Sequence, residues 1–277
     1  MSEIVDNSNV VDETSQIDAL VETETVDISG NEIQSTDELV ATSADVTTTS
    51  IEDYISHLEN ALGSADKSVS NLLIGSSHAI NVNGMLSNKI RHFYNNLLSF
   101  TDSRAIEVGV YNGASTCALL HNNSADLVSF DDWSDFIAAT VYNIPKKPRI
   151  ANALENINKC IGRNKFEFKN ENCFTTDLSL LGKRNMLIFD GNTKFDDVYN
   201  SIKYFHDIMD TTFIYVTDDW NFERVRRGVN TAINDLNLTV EWSREYRLTQ
   251  DNSHTPEELA KKSWWNGLYV GVFTKNV

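Results

Sequence analysis

Short apolar runs alternate with amphipathic stretches along residues 101–277, and this alternation limits the fold more than any other feature of the chain. Ala105-Ile106-Glu107-Val108-Gly109-Val110, Leu127-Val128-Ser129-Phe130, Phe166-Glu167-Phe168, Asn185 to Phe189, Phe213-Ile214-Tyr215-Val216, Leu238–Trp242 and Leu268–Phe273 read as strands. Between them, Ala114 to Leu120, residues 149–161, Phe195 to Met209 and Phe222 to Leu236 read as helices. Near-continuous apolar strands separated by amphipathic helices predict a doubly wound α/β domain, with a mostly parallel sheet covered on both faces. Two helical stretches precede it. Ile51 to Leu62 carries apolar residues at 51, 55, 58 and 62, and Met85 to Phe100 places Leu86, Ile90, Phe93, Leu97 and Leu98 on one side. A polar connection from Gly63 to Gly84 separates them. The expected organisation is a tail over 1–50, a helical extension over 51–100 serving as a lid or a homodimer contact, and the α/β domain over 101–277.

The formal net charge is −17, and twelve of the 40 acids fall in the first fifty residues, which hold no Lys, Arg or aromatic residue. Such a segment buries too little apolar surface to offset its chain entropy and is expected to be disordered. It reads as a solvating tail, or as a docking arm for a basic protein using Val10-Val11 and Leu39-Val40 as anchors. The acidic balance argues against nucleic-acid partners. No apolar run approaches the roughly 20 residues that span a bilayer, and the N-terminal residues do not read as a signal peptide. Three cysteines, Cys117, Cys160 and Cys173, supply neither a disulfide framework nor a CxxC zinc motif. A reduced, cytoplasmic protein is the expectation.

In doubly wound sheets the ligand lies beyond the carboxyl ends of the strands. Four strands here end in Gly109-Val-Tyr111-Asn112-Gly113, Asp131-Asp132, Asp190-Gly191 and Asp218-Asp219. Carboxylates after three strands repel one another at a shared rim, and a cation or a donor-rich ligand offsets that repulsion. Tyr111 stands where a dinucleotide fingerprint has its second glycine, so the turn suits a ligand without a pyrophosphate. Asp131, 22 residues after Gly109, is placed to accept both hydroxyls of a ribose. An adenosine joined to an amino-acid tail is S-adenosylmethionine.

Glu107-Val-Gly109-Val-Tyr111-Asn112-Gly113-Ala-Ser115-Thr resembles the first motif of class I S-adenosylmethionine-dependent methyltransferases. The likeness extends from about Arg104 to Lys275, through Asp190-Gly191-Asn-Thr193 after strand four and Asp218-Asp219-Trp220 after strand five. It implies a seven-stranded sheet with an antiparallel last strand, and cofactor contacts from Glu107, Gly109, Tyr111, Asn112, Gly113, Ser115 and Asp131. In the metal-dependent O-methyltransferases of this class the acids after strands four and five hold Mg²⁺, which nominates Asp190, Asp218 and Asp219. Methylation of a hydroxyl on a small molecule or glycan is then expected, with Asp190 and Asp218 in catalytic roles. Thr193 stands where the family segment has histidine.

Other residues carry weaker signals. His78 is a candidate base or lid residue, and Trp133, directly after the acids of strand two, a candidate for stacking on adenine. Trp220 and Trp264-Trp265 border the predicted rim, His254 lies in a polar loop, and Cys117 reads as a small buried residue. Lys146-Lys147-Pro148-Arg149 and the arginines 224, 226 and 227 read as solvated surface. Two further classes stay open: a non-catalytic module that keeps the fold, and a nucleotide-dependent oxidoreductase or sugar-modifying enzyme.

Overall fold

The computed structural model describes residues 49–76, 78–134 and 146–276. The expectations for the acidic tail fall on residues 1–48 and lie outside the described residues. The apolar runs become β1 (Arg104–Val108), β2 (Asp126–Phe130), β3 (Lys165–Lys169), β4 (Arg184–Phe189), β5 (Met209–Asp218), β6 (Leu238–Tyr246) and β7 (Leu268–Lys275). They form one sheet in the order β3-β2-β1-β4-β5-β7-β6. The first five strands are parallel to one another, whereas β7 enters antiparallel between β5 and β6. This is a doubly wound α/β architecture whose strand order reverses between β1 and β4, so the carboxyl ends of β1, β2, β4 and β5 form one rim.

The helices are α1 (Ile51–Asp66), α2 (His78–Asn81), α3 (Asn88–Leu98), α4 (Ala114–Leu120), α5 (Lys146–Asn158), α6 (Phe195–Phe205), α7 (Glu223–Asp235) and α8 (Glu257–Ala260). Alternate residues of β4 feed two hydrophobic clusters. Met186 and Ile188 pack with α1, α3, α4 and α5, while Leu187 and Phe189 pack with α6 and α7. Leu58, Phe93, Leu97 and Leu98 are fully buried in the first cluster beside Ile214 and Val216. Each such side chain contributes about 1.5–3 kcal/mol when removed from water. The segment 51–100 therefore completes one face of the sheet.

Several boundaries differ from the sequence reading. Helix α1 starts where expected, fixed by a reciprocal cap in which Ser50 Oγ accepts from Asp53 N (3.1 Å) and Asp53 Oδ2 accepts from Ser50 N (3.0 Å). It then runs through Gly63 to Asp66, because the buried Ala65 continues its inward stripe. The connection 63–84 also contains α2 and a short 3₁₀ turn at Asn71–Leu73. Helix α6 ends at Phe205, and β5 begins at Met209, four residues before the apolar run, because Met209 pairs with Arg184. Pairing with β7 likewise carries β6 on to Tyr246. Lys146 to Arg149 open α5 instead of forming a loop, and Arg149 is buried with Nη2 3.4 Å from the Trp133 carbonyl. Among the described residues no helix is long and apolar enough to cross a membrane.

Candidate active site

The turn after β1 is shaped by its neighbours on the rim. Gly109, Tyr111 and Gly113 all lie in the left-handed region, at φ of 98°, 48° and 82°. A Cβ on Gly109 would overlap the carbonyl of Asp190. One on Gly113 would come to 2.8 Å from Ile157 on α5. Both glycines are thus demanded by packing within the protein. The turn is pinned by Gly109 N to Phe130 O and Asp190 N to Val108 O, both 2.9 Å, which join the ends of β1, β2 and β4.

Asp131 clamps this turn. Its Oδ2 accepts from Val110 N (2.9 Å) and Tyr111 N (2.8 Å), and its Oδ1 from Trp133 N (2.7 Å). Burial raises its pKa, and those three backbone donors oppose the rise. The sequence reading gave both oxygens to a ribose. In the structure three of roughly four lone-pair positions are already used, so only Oδ1 retains capacity for a further donor.

Glu107 lies buried beside the clamped turn. Its Oε2 accepts from Thr116 Oγ1 (2.7 Å) and Ser129 Oγ (2.6 Å). Oε1 has no partner among the described residues, although the Ser115 hydroxyl adjoins the carboxylate. Burial pushes the group up to about 6 against the pull of these hydroxyls. A buried carboxylate oxygen without a donor is costly, and a bound cationic or N–H group would relieve that cost.

Farther along the rim stand Asp190, Asp218 and Asp219. Asp218 ends β5 and Asp219 turns sharply after it at φ 56°. Burial pushes Asp190 up to about 7, and burial together with Asp190 raises Asp218 strongly. These two carboxyls are within hydrogen-bonding reach, so one proton between them relieves like-charge repulsion. Asp219 is raised by burial and opposed by Asn266, His254 and Arg224; its Oδ1 has no partner among the described residues. Among those residues the one group of three candidate ligand atoms lying within 4.8 Å of one another is His78, Cys117 and Cys160, not the three aspartates. Asp190 and Asp218 thus lie side by side while Asp219 turns toward Asn266, and the three acids do not all come within 4.8 Å of one another.

Tyr94 completes the cluster. It reaches in from α3, is fully buried, and its hydroxyl has no partner among the described residues. Burial and the charges of Asp190, Asp218, Glu107 and Asp219 raise its pKa strongly, which keeps it a neutral donor. The sequence reading missed it, although Tyr94 lies four residues after Ile90 on the same helical stripe.

The remaining candidates are placed as follows. His78 joins a different group: its Nε2 lies 3.1 Å from the Asn156 carbonyl, beside Cys117 and Cys160. Trp133 is packed inside, edge-on to Phe168 at 5.3 Å. Trp220 is also core, stacked on Tyr269 at 4.4 Å with Nε1 donating to Glu245 (2.8 Å). Trp264 stacks on Tyr246 at 4.3 Å. Thr193 Oγ1 accepts from Arg224 Nη2 (2.8 Å), and Arg226 Nη1 donates to the carbonyls of Trp220 and Asn221 at 2.7 and 2.5 Å. Arg224 and Arg227 are exposed as read from the sequence, while Arg226 is half-buried, and Arg224 and Arg226 also hold the rim. His254 lies edge-on to Phe222 at 4.9 Å, with its Nδ1 3.2 Å from Asn266 Nδ2. Asn112 lines a polar cavity of about 250 Å³ with Asn83, Asn152, Glu155 and Asn156.

No family model and no curated protein matches the chain. Solved structures resemble it at low identity. An O-methyltransferase from Bacillus cereus in complex with SAH is 13% identical, with 79% of this chain and 91% of that one covered and a TM-score of 0.48. A SAH-bound methyltransferase from Podospora anserina is 12% identical, with 80% and 88% covered and a TM-score of 0.47. The chain spans only half the length of a larger SAH-bound protein, with 69% of this chain covered, 11% identity and a TM-score of 0.45. At these scores the likeness says nothing of the site, whose reading rests on this chain's own residues.

Proposed function

We propose that the chain is an S-adenosylmethionine-dependent methyltransferase acting on a hydroxyl oxygen of a small molecule or glycan. The observation that carries this reading is the gathering of a clamped left-handed turn, the half-satisfied carboxylate of Glu107 and the acids Asp190 and Asp218 at the ends of β4 and β5 along one rim. When bound, the cofactor supplies a methyl group already activated by its sulfonium. Glu107 Oε1 and the turn 109–113 suit the amino-acid end, and Oδ1 of Asp131 suits one ribose hydroxyl. The ionised member of the Asp190–Asp218 pair accepts the acceptor's O–H proton as the new O–C bond forms and the S–C bond breaks. Tyr94, buried and neutral beside these acids, leaves its hydroxyl free to donate to a bound acceptor and keeps water out. No step is assigned to Mg²⁺; Asp190, Asp218 and Asp219 are the residues that would hold it.

A second reading, a non-catalytic module, is favoured by Thr193, which stands in place of the resemblance's histidine and is locked to Arg224. Incubation with methyl-labelled S-adenosylmethionine and a panel of phenol, alcohol, sugar, amine and thiol acceptors separates the two. Label on oxygen is expected. Label confined to nitrogen or sulfur acceptors, or none on any acceptor, contradicts the proposal.

A further inference from the structure

We propose that His78, Cys117 and Cys160 form a binding site for a thiophilic d¹⁰ cation, Zn²⁺, separate from the rim acids. One ligand atom from each residue lies within 4.8 Å of the other two. In a tetrahedral site with ordinary Zn–S and Zn–N lengths, ligand atoms sit about 3.6–3.8 Å apart, so closure needs at most roughly an ångström of movement at each side chain. The donor set is chemically selective. Two thiols and an imidazole favour zinc over the hard cations that oxygen ligands would take.

Burial supports the same choice. Cys117 is 0% and Cys160 4% exposed, and two thiolates around one divalent cation leave the site neutral. Binding requires only that two S–H protons leave to solvent while two Zn–S bonds form, with no change of oxidation state. His78 Nε2 lies 3.1 Å from the Asn156 carbonyl, and the neutral tautomer that donates there keeps a lone pair on Nδ1 for a cation. Asn156 is held in turn by its Nδ2, which donates to Asn112 O at 3.0 Å. Asn156 also lines the 250 Å³ polar cavity, from which a water can fill the fourth tetrahedral position.

The three ligands come from segments that are distant in the chain: α2, α4 and the residue two places beyond α5. No CxxC pattern announces such a site. A bound cation would tie the N-terminal extension to the two helices that flank the glycine turn.

The test is a Co²⁺ titration of the reduced full-length chain, followed by displacement with Zn²⁺. A thiolate-to-cobalt absorption band saturating at one equivalent is expected, together with a Zn²⁺-dependent rise in melting temperature. Cys117→Ser and Cys160→Ser should remove the band, and His78→Ala should weaken binding about tenfold or more. Cys173→Ser, at the third buried thiol, should leave it intact. The proposal is overturned if the wild-type chain gives no such band, if the band survives Cys160→Ser, or if mass analysis shows Cys117 and Cys160 joined as a disulfide after the titration. The wild-type titration decides even where a variant fails to fold.

Discussion

Gly109→Ala is expected to lower stability by about 2–6 kcal/mol, a large share of the 5–15 kcal/mol typical of a folded domain. Two costs combine there. The residue sits at φ 98°, where an L side chain is strained by roughly 1–3 kcal/mol. Its new Cβ would also meet the backbone carbonyl of Asp190, which cannot yield as a flexible side chain would, and overpacking of this kind costs a further 1–3 kcal/mol or so. Gly63→Ala is the matched comparison. Gly63 lies inside α1, where an added Cβ meets nothing within 4 Å, so alanine should stabilise by about 0.5–1 kcal/mol. Urea midpoints of the two variants check the pair. A Gly109→Ala chain that unfolds with the wild-type midpoint would contradict the close approach of β1 to β4.

Asp190→Asn should move stability and activity in opposite directions. Burial raises the folded-state pKa of Asp190 from 3.8 to about 7, so between those values the folded chain binds a proton that the unfolded chain has released. Stability therefore falls as pH rises from about 4 through 7, and Asp218 acts in the same direction. Asparagine removes this dependence and should stabilise the chain at pH 7.5 by roughly 1–3 kcal/mol. Turnover should fall about 10²–10⁴-fold as the proton acceptor is lost. Denaturation at pH 5 and 7.5, run beside a methyl-transfer assay, reads both effects. Loss of activity with an unchanged pH slope would place the buried proton elsewhere.

The sheet was legible because apolar runs and helical periodicity report burial directly, and an acid at the end of a buried strand marks the rim. The antiparallel β7 was implied by the resemblance and not by any local pattern, since pairing partners leave no trace in periodicity. Asp131 illustrates the limit at the site. Its position after β2 was readable, but its role as a clamp on the Val110 and Tyr111 amides depends on how the turn folds back. The three aspartates show the same limit: chain spacing puts acids on one rim but says nothing of where the Asp219 side chain turns. Tyr94 and the fully buried Asn221 escaped notice because their importance lies in tertiary partners. Asn221 Oδ1 accepts from Leu248 N (2.7 Å) and Thr249 N (3.2 Å), holding a loop that follows β6 against the rim. Trp220 and Trp264 border the rim but serve the core, as aromatic residues there do as readily as they line a pocket.

The most direct measurement is calorimetric titration of the full-length chain with S-adenosylhomocysteine, using wild type and Glu107→Gln. Saturable binding at one site per chain, weakened at least about tenfold by Glu107→Gln as a charge-assisted contact is lost, is the predicted result. No heat with the wild-type chain, or equal affinity in both, would contradict an adenosyl site built on the β1 turn.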